Sequence, residues 1–262
     1  MPRDDRYTSR GHTAARFVAQ RLVMRPVIRA LTRIHVHGKR NLRTLDGPYV
    51  VMPNHNGHLD TPVIHSSLPY RLSKYLATGA AADYFFTHWW RAAPTALFFN
   101  AFPIERTGMR NRKGLAGGLL SKGVPLLIYP EGTRSRNGTM APFKPGAAAL
   151  CISRHVPALP VALVGIRQAM PHGNVLPVPG RPEVHVVFGK PMWAEQGETA
   201  VKFAERIREQ VFTMHDQTAL ATGFPRIIDY QREALEAKAT AADDEAGDGP
   251  DESEPDNDKE SS

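Results

Sequence analysis

The chain has few features of a secreted or membrane-spanning protein. Cys151 is the single cysteine among its 262 residues, which excludes an intramolecular disulfide and a cysteine-rich zinc site. No uncharged apolar run reaches about 18 residues, so we expect no spanning helix. The N-terminus also lacks the apolar stretch and cleavage site of a secretory signal. A hydrophobic fraction of 42% still suffices for one substantial α/β domain with extensions.

Acidic residues are scarce outside the C-terminal end. Residues 243–262 hold ten acidic residues and one lysine, so the formal net charge of +7 becomes +16 for residues 1–242. A basic surface attracts nucleic acids, anionic membranes or phosphorylated substrates. Because the sequence has no helix-turn-helix, zinc finger or RNA-binding aromatic motif, we do not expect a nucleic-acid partner, although a basic nucleic-acid-binding protein remains an alternative.

Strand-like and helix-like patterns alternate along the middle of the chain. We predict strands at residues 48–53, 71–77, 101–104, 125–129, 158–164 and 183–188, and helices at 112–122, 145–154 and 198–216. This order predicts an α/β fold, with a central mostly parallel or mixed sheet flanked by helices. We divide the chain into an N-terminal segment (1–34), a central domain (35–218) and a C-terminal extension (219–262), whose acidic tail we expect to be disordered from about residue 240.

The N-terminal segment has the pattern of a basic amphipathic helix over residues 14–34, which Pro26 should kink or split. Its two faces are formed by Arg21, Arg25, Arg29 and Arg33 and by Val23, Val27, Leu31 and Ile34. One interpretation is a helix that lies on an anionic membrane. The other is a helix packed on the domain with its arginines in solvent.

Residues 84–102 are unusually aromatic. They include Tyr84, Phe85, Phe86, Trp89, Trp90, Phe98, Phe99 and Phe102. Tryptophan next to arginine is typical of a membrane interface, whereas a buried aromatic cluster is the alternative.

A first candidate for chemistry follows the strand at residues 48–53. His55 and Asp60 lie five residues apart, where a turn that leads into a helix can bring the carboxylate back to the imidazole. A histidine held in this way can act as a general base towards a hydroxyl. The alternative is a metal-dependent hydrolase that uses His55, His58 and Asp60, although their spacing does not match the usual zinc hydrolases.

Two further polar clusters follow predicted strands. Arg106 comes just after residues 101–104, and Glu131, Gly132 and Arg134 come after 125–129. Lys144 precedes a predicted helix, which suits a phosphate site. Ligands bind at the carboxyl ends of parallel strands, so we expect these clusters to meet in one crevice.

Four ordered blocks resemble those of the glycerolipid acyltransferases, most closely the 1-acylglycerol-3-phosphate acyltransferases. The resemblance covers about residues 35–190. The blocks are Asn54-His55 with Asp60, Phe102-Pro103-Ile104-Glu105-Arg106, Pro130-Glu131-Gly132-Thr133-Arg134, and Val156-Pro157-Ala158-Leu159-Pro160-Val161. The pattern departs at Asn100, where many members have glycine, and this residue could alter the acceptor pocket.

The resemblance implies an O-acyltransferase that uses His55 as the base and Asp60 as its orienting partner. It implies that Arg106, Glu131, Gly132 and Arg134, with Thr133 in the same block, hold the glycerol phosphate of a lysophospholipid, and that the fourth block shapes the side of the acyl donor. We expect acyl-CoA or acyl carrier protein as the donor, no cofactor and no metal. We also expect a peripheral or monotopic location on the cytoplasmic face of the cell membrane, with an anionic membrane surface as a partner.

Overall fold

A seven-stranded sheet forms the centre of the protein. The computed structural model describes residues 4–81, 89–104, 113–135 and 137–247. Its strands are β1 (Arg33–His37), β2 (Val50–Pro53), β3 (Ala77–Ala81), β4 (Phe102–Ile104), β5 (Leu126–Leu127), β6 (Ala158–Val164) and β7 (Glu183–Phe188), in the spatial order β1-β7-β6-β2-β5-β3-β4.

All neighbouring strands in this sheet run parallel except β6 and β7, which are antiparallel. Every residue of β2 and β6 is buried, as expected for parallel strands covered on both faces. Val50 lies opposite Ala158 and Leu126, so β2 is held between β6 and β5. The predicted mixed α/β sheet flanked by helices is confirmed.

Helices cover both faces of the sheet. They are α1 (Arg10–Phe17), α2 (Arg25–Leu31), α3 (Asp60–Ser67), α4 (Tyr70–Ser73), α5 (Trp89–Phe99), α6 (Lys113–Ser121), α7 (Gly146–Arg154), α8 (Ile166–Ala169), α9 (Ala200–Thr222) and α10 (Ile227–Gly247). One apolar core joins α6, α7 and α9 to the sheet, and a second joins α2, α3, α4 and α8 to its other face. The domain is therefore a three-layer sandwich.

The N-terminal helix is longer and starts earlier than predicted. It begins at Arg10 and ends at Leu31, and a π-helical segment (Val18–Met24) joins α1 to α2. Pro26 lies in the first turn after this segment, where a missing N–H is tolerated. The prediction that Arg33 and Ile34 continue the helix is wrong, because both belong to β1, which pairs with β7.

The faces of this N-terminal helix are also arranged differently from the prediction. The side that packs on the domain is partly polar, and it buries Thr13, Arg16, Gln20, Met24 and Ile28. Arg16 donates to the carbonyls of Arg6 and Tyr7, and Gln20 donates to the carbonyl of Phe98. The exposed apolar residues are Phe17, Val18, Leu22, Val23 and Val27. Arg21 does not point freely into solvent, because it donates to the carbonyl of Leu68 and the hydroxyl of Ser73.

The predicted strand at residues 71–77 is wrong over most of its length. Residues 70–73 form α4 after Pro69, and the backbone N–H groups of Leu72 and Ser73 both donate to the Pro69 carbonyl. The strand β3 begins only at Ala77. Pro69 occupies the N-cap position, where its missing N–H costs the helix no hydrogen bond, and the helix start outweighs the strand pattern.

The C-terminal part is more helical than predicted. Helix α9 continues to Thr222 and ends at Gly223, which has a φ of +74°. The proposed boundary at residue 218 thus falls inside one helix. Helix α10 is described as far as Gly247, and the expected disorder of the acidic tail stays a prediction. The alanine-rich composition of this stretch favours helix.

Asn100, where many proteins of the resembling family have glycine, directly follows α5 and has a φ of +50°. Glycine adopts this left-handed conformation most easily, and asparagine tolerates it better than most residues. The Asn100 side chain is buried and donates to the carbonyl of Tyr75 at 3.2 Å. The substitution therefore preserves the local backbone path.

Among the residues that the structure describes, no helix is both long and apolar enough to span a membrane. Of the aromatic segment, Tyr84, Phe85 and Phe86 lie outside the described residues. Phe102 is buried, and Phe98 and Phe99 pack partly against the second core.

Candidate active site

The parallel sheet brings two of the predicted clusters to the same edge. Strands β2 and β5 are parallel neighbours, so the residues that follow them leave the sheet side by side. His55 comes two residues after β2, and Glu131 four residues after β5. Strand β4 ends at this edge as well, but Arg106, which follows it, lies outside the described residues.

His55 and Asp60 form the hydrogen-bonded pair that the sequence predicts. The His55 Nδ1 lies 2.7 Å from the Asp60 Oδ2, and the Asp60 side chain is fully buried. The same oxygen accepts hydrogen bonds from the backbone N–H groups of Asn56 at 2.8 Å and Gly57 at 2.9 Å. These bonds fold the turn at residues 55–60 back onto itself, which places the carboxylate against the imidazole.

Asp60 does not cap α3 with its side chain. It is the first residue of that helix, Leu59 occupies the cap position, and the Asp60 carboxylate accepts from the turn instead. Pro62 lies in the first turn of α3. With Nδ1 of His55 bonded to a carboxylate, Nε2 is the ring nitrogen left for chemistry.

A second ring fixes the plane of the imidazole. Tyr129 stacks on His55 with ring centroids 3.9 Å apart and an interplanar angle of 23°. The Tyr129 hydroxyl lies 2.8 Å from the hydroxyl of Thr61, in the first turn of α3. No sequence pattern predicts a role for Tyr129. The signal in the sequence is its position at the end of the predicted strand 125–129, directly before the cluster that contains Glu131.

Each of the two carboxylate oxygens of Glu131 accepts a hydrogen bond from a backbone N–H group. Its Oε1 accepts the N–H of His55 at 2.7 Å, and its Oε2 accepts the N–H of Ala141 at 2.9 Å. The residue is buried, and this burial raises the pKa of its carboxyl to about 7, although the two N–H groups act in the opposite direction. The carboxylate therefore ties the His55 turn to the loop after β5.

Two cationic side chains lie beside this turn. A Cβ on Gly132 would lie 2.6 Å from the Lys144 Nζ, so the lysine crosses directly over the glycine, whose φ is +77°. Arg134 donates a short hydrogen bond to the His58 Nε2. Partial desolvation of the ring, and then the Arg134 cation, lower the pKa of His58. Thr133 is exposed between Gly132 and Arg134.

The fourth block lies inside the sheet and supports this edge. It includes the start of β6, which pairs with β2. The buried Asn54 side chain links the two strands, because it accepts the N–H of Leu163 at 2.8 Å and donates to the carbonyl of Leu163 at 3.1 Å. Asn54 therefore fixes the end of β2 just before His55.

The geometry disfavours the metal-hydrolase alternative. Asp60 Oδ2 already accepts three hydrogen bonds, and His58 Nε2 faces a guanidinium, which would repel a metal cation. Within the described ranges, the group of side chains whose donor atoms lie together at metal-binding distances is located elsewhere, on β1 and β7.

The sequence blocks lie in a part of the chain that matches a known family. The model of the family described as Acyltransferase matches residues 33–164, which is half of the chain. The matched region contains all four sequence blocks and the whole hydrogen-bonded turn. The chain belongs to the acyltransferase family. This membership accounts for the ordered blocks, which the nucleic-acid-binding alternative leaves unexplained.

Several curated acyltransferases resemble the chain over part of their length. A chloroplastic 1-acyl-sn-glycerol-3-phosphate acyltransferase of Brassica napus is 26% identical over 62% of this chain and 46% of the relative. The 1-acyl-sn-glycerol-3-phosphate acyltransferase alpha of Bos taurus is 28% identical over 70% of this chain and 62% of the relative. The protein of that name from Mus musculus is 32% identical over 50% of this chain and 45% of the relative. The matched region thus spans about half the length of these relatives.

A solved acyltransferase shares the fold. The crystal structure of the 1-acyl-sn-glycerophosphate acyltransferase from Thermotoga maritima matches with a TM-score of 0.57 and 22% sequence identity. The match covers 75% of this chain and 80% of that chain. At this level of identity the similarity establishes the common architecture.

Proposed function

We propose that this acyltransferase-family protein transfers a fatty acyl group from a thioester donor to the free hydroxyl of 1-acylglycerol-3-phosphate, which yields phosphatidate. The observation that carries the proposal is the His55–Asp60 pair, with its 2.7 Å contact at the carboxyl end of β2. The names of the relatives support this acceptor. Acyl-CoA or acyl carrier protein is the proposed donor, and the reaction needs no cofactor.

In this mechanism, Nε2 of His55 removes the proton from the acceptor hydroxyl as its oxygen attacks the thioester carbonyl carbon. Asp60 stabilises the imidazolium through Nδ1–H. The tetrahedral intermediate then collapses, the C–S bond breaks, and the imidazolium gives its proton to the leaving thiolate. His55 returns to its starting form, and the products are the new ester and the free thiol.

The cationic side chains beside the His55 turn are the proposed partners of the acceptor phosphate. Arg134 and Lys144 are both exposed at this edge, and guanidinium and ammonium groups suit phosphate oxygens. We propose Arg106, after β4, as a third partner. Gly132 and Thr133 complete the proposed binding site, in which the backbone at Gly132 leaves room for Lys144. Glu131 would act mainly by holding the His55 backbone.

We further propose that the protein works on an anionic membrane surface, as a peripheral or monotopic protein on the cytoplasmic face. The exposed apolar residues of the N-terminal helix support this, since the exposed fractions of Leu22 and Val27 are 64% and 49%. Apolar side chains among arginines suit the boundary between headgroups and acyl chains. The acceptor, a lysophospholipid, resides at the same boundary.

The first experiment incubates the purified protein with labelled oleoyl-CoA and lysophosphatidate in mixed micelles and quantifies phosphatidate. We expect product from the wild type and a rate about 10²–10⁴-fold lower from His55→Ala, because a general base contributes that much. His12→Ala, which alters an exposed histidine on α1, should retain the wild-type rate.

Equal rates from wild type and His55→Ala would exclude His55 as the base. Turnover with another lysophospholipid but not with lysophosphatidate would preserve acyl transfer and correct the acceptor. A comparison of acyl-CoA with acyl carrier protein identifies the donor. Loss of activity in a chelator, with an unchanged melting temperature, would favour a metal-dependent reaction and contradict the proposed chemistry.

A further inference from the structure

Three histidines and a glutamate lie together at the β1 end of the sheet. Residues of β1 alternate, so Ile34 and Val36 face the second core while His35 and His37 face the opposite side of the sheet. On the neighbouring strand β7, Glu183 and His185 lie on the same side as these histidines, and His35 is directly opposite His185 in the register. Two parallel strands therefore present four potential metal ligands on one face.

The donor atoms of three of these side chains are close together. One ligand atom from each of His35, Glu183 and His185 lies within 4.8 Å of the others. The His35 Nε2 is 3.8 Å from the Glu183 Oε1. The rings of His35 and His185 stack with centroids 4.8 Å apart. This grouping is separate from the His55 turn, since β6 lies between β7 and β2 in the sheet.

His185 is buried but has an unpaired nitrogen. Its exposed fraction is 4%, and Phe224 packs edge-on against its ring. The His185 Nδ1 lies 3.0 Å from the His37 Nε2, whereas its Nε2 is buried and has no hydrogen-bond partner among the described residues. A buried polar atom without a partner costs free energy.

We propose that His35, Glu183 and His185 bind a divalent zinc ion, and that His37 orients His185. The His185 Nε2 would coordinate the metal while its Nδ1–H donates to the His37 Nε2, a bond that would fix the tautomer and orientation of the ligand as outer partners of metal-bound histidines do. Two imidazoles with one carboxylate suit zinc better than magnesium or calcium. A water molecule completes four-coordination.

Binding requires a small rearrangement of exposed side chains. Ligand atoms around tetrahedral zinc lie about 3.3–3.6 Å apart, so the three donors must draw together by roughly 1 Å. The side chains of His35 and Glu183 are 45% and 47% exposed, which leaves them room to rotate. Arg33, whose guanidinium is 3.9 Å from Glu183, must release this weak contact.

The proposed ion has a structural role. Strand β1 begins two residues after α2, and its ladder runs along β7. A metal bound across β1 and β7 would fasten the strand that carries the N-terminal helix to the rest of the sheet. Because the ligand set exists only in the folded chain, zinc should stabilise that state.

The test is zinc titration of the chelator-treated full-length protein by calorimetry, together with thermal unfolding. We expect one zinc ion per chain with micromolar or tighter affinity, and a rise in melting temperature of about 3 °C or more. The exposed-residue variants His35→Asn and Glu183→Gln should bind zinc at least about tenfold more weakly. His37→Gln should weaken binding by about tenfold through loss of orientation.

Two controls separate this site from other histidines. His172→Gln alters an exposed histidine outside the cluster and should bind zinc like the wild type. His58→Gln tests binding at the His55 turn. The proposal is overturned if the protein has no saturable zinc binding in the micromolar range, if His35→Asn and Glu183→Gln bind as tightly as the wild type, or if His58→Gln alone abolishes binding.

Discussion

One aspartate oxygen organises the candidate catalytic residue. The Asp60 Oδ2 faces the His55 ring and two backbone N–H groups, so the position of the imidazole and the shape of the turn depend on the same atom. The other carboxylate oxygen, Oδ1, is buried without a hydrogen-bond partner among the described residues. Such an arrangement sacrifices some stability for a fixed geometry, as is common at functional sites.

Gly132→Ala should weaken both stability and acceptor binding. The φ of +77° is unfavourable for alanine by about 1–2 kcal/mol, and the new methyl group would displace the Lys144 Nζ. We expect a lower free energy of unfolding and a higher KM for the acceptor.

Gly114→Ala is the matched control. It lies in α6 with open space around it, so alanine should stabilise by about 0.5–1 kcal/mol. A Gly132→Ala protein with unchanged KM would remove Lys144 from the phosphate site.

Glu131 should make stability depend on pH. Burial raises the pKa of its carboxyl to about 7 from 4.5. The folded protein therefore binds this proton more tightly than the unfolded chain, and the resulting stabilisation is lost as pH rises from about 4.5 through about 7. Relative to Glu131→Gln, the wild-type free energy of unfolding should fall by about 1–3 kcal/mol between pH 5 and pH 8. Parallel pH profiles of the two proteins in denaturant titrations would contradict this.

The N-terminal helix shows how tertiary contacts can reverse the faces of an amphipathic element. Its buried side carries Arg16 and Gln20, whose side chains satisfy backbone carbonyls of the neighbouring segments. Its apolar residues Leu22 and Val27 are then left exposed. The helix therefore packs on the domain and still presents an apolar surface, and its contact with an anionic membrane stays a prediction.

The double variant Leu22→Asp with Val27→Asp should bind anionic vesicles about tenfold or more weakly than the wild type, because the apolar contact is lost and negative charge is added near acidic lipid. Leu220→Asp is the control, since Leu220 on α9 is 71% exposed, similar to Leu22. Vesicle sedimentation measures both. If Leu220→Asp lowered binding as much as the double variant, general charge and not this helix would govern membrane contact.

Charge is distributed unevenly over the whole molecule. Residues 248–262 contain seven acidic residues and one lysine, so their removal raises the net charge from +7 to +13. A chain truncated after Gly247 should bind anionic vesicles more tightly at low salt, and the difference should shrink as screening increases. Sedimentation at two salt concentrations tests this. Equal affinity of both chains at low salt would show that the acidic residues do not influence the surface.

The amino-acid sequence determined the main strands, the mixed α/β class and the residues of the His55 turn, because these depend on local patterns. Apolar runs such as residues 158–164 are readable as buried strands, and His55 and Asp60 are separated only by a short turn. The side chains that other strands bring to His55 could not be predicted in the same way. Tyr129 and Glu131 contact His55 across 74 or more residues of chain, a separation at which local patterns carry no information.

Only the tertiary structure decided the secondary structure of residues 33–34, the contacts of Glu131 and the grouping of three histidines. Residues 33–34 continue the helical pattern of the N-terminal segment, yet pairing with β7 makes them part of a strand. Glu131 resembles an acceptor ligand in sequence, but the sheet places backbone N–H groups against both of its oxygens. His35, His37 and His185 became a cluster only when β1 paired with β7 in register. Local sequence specifies which elements can form, whereas hydrogen bonding between distant strands decides which side chains meet.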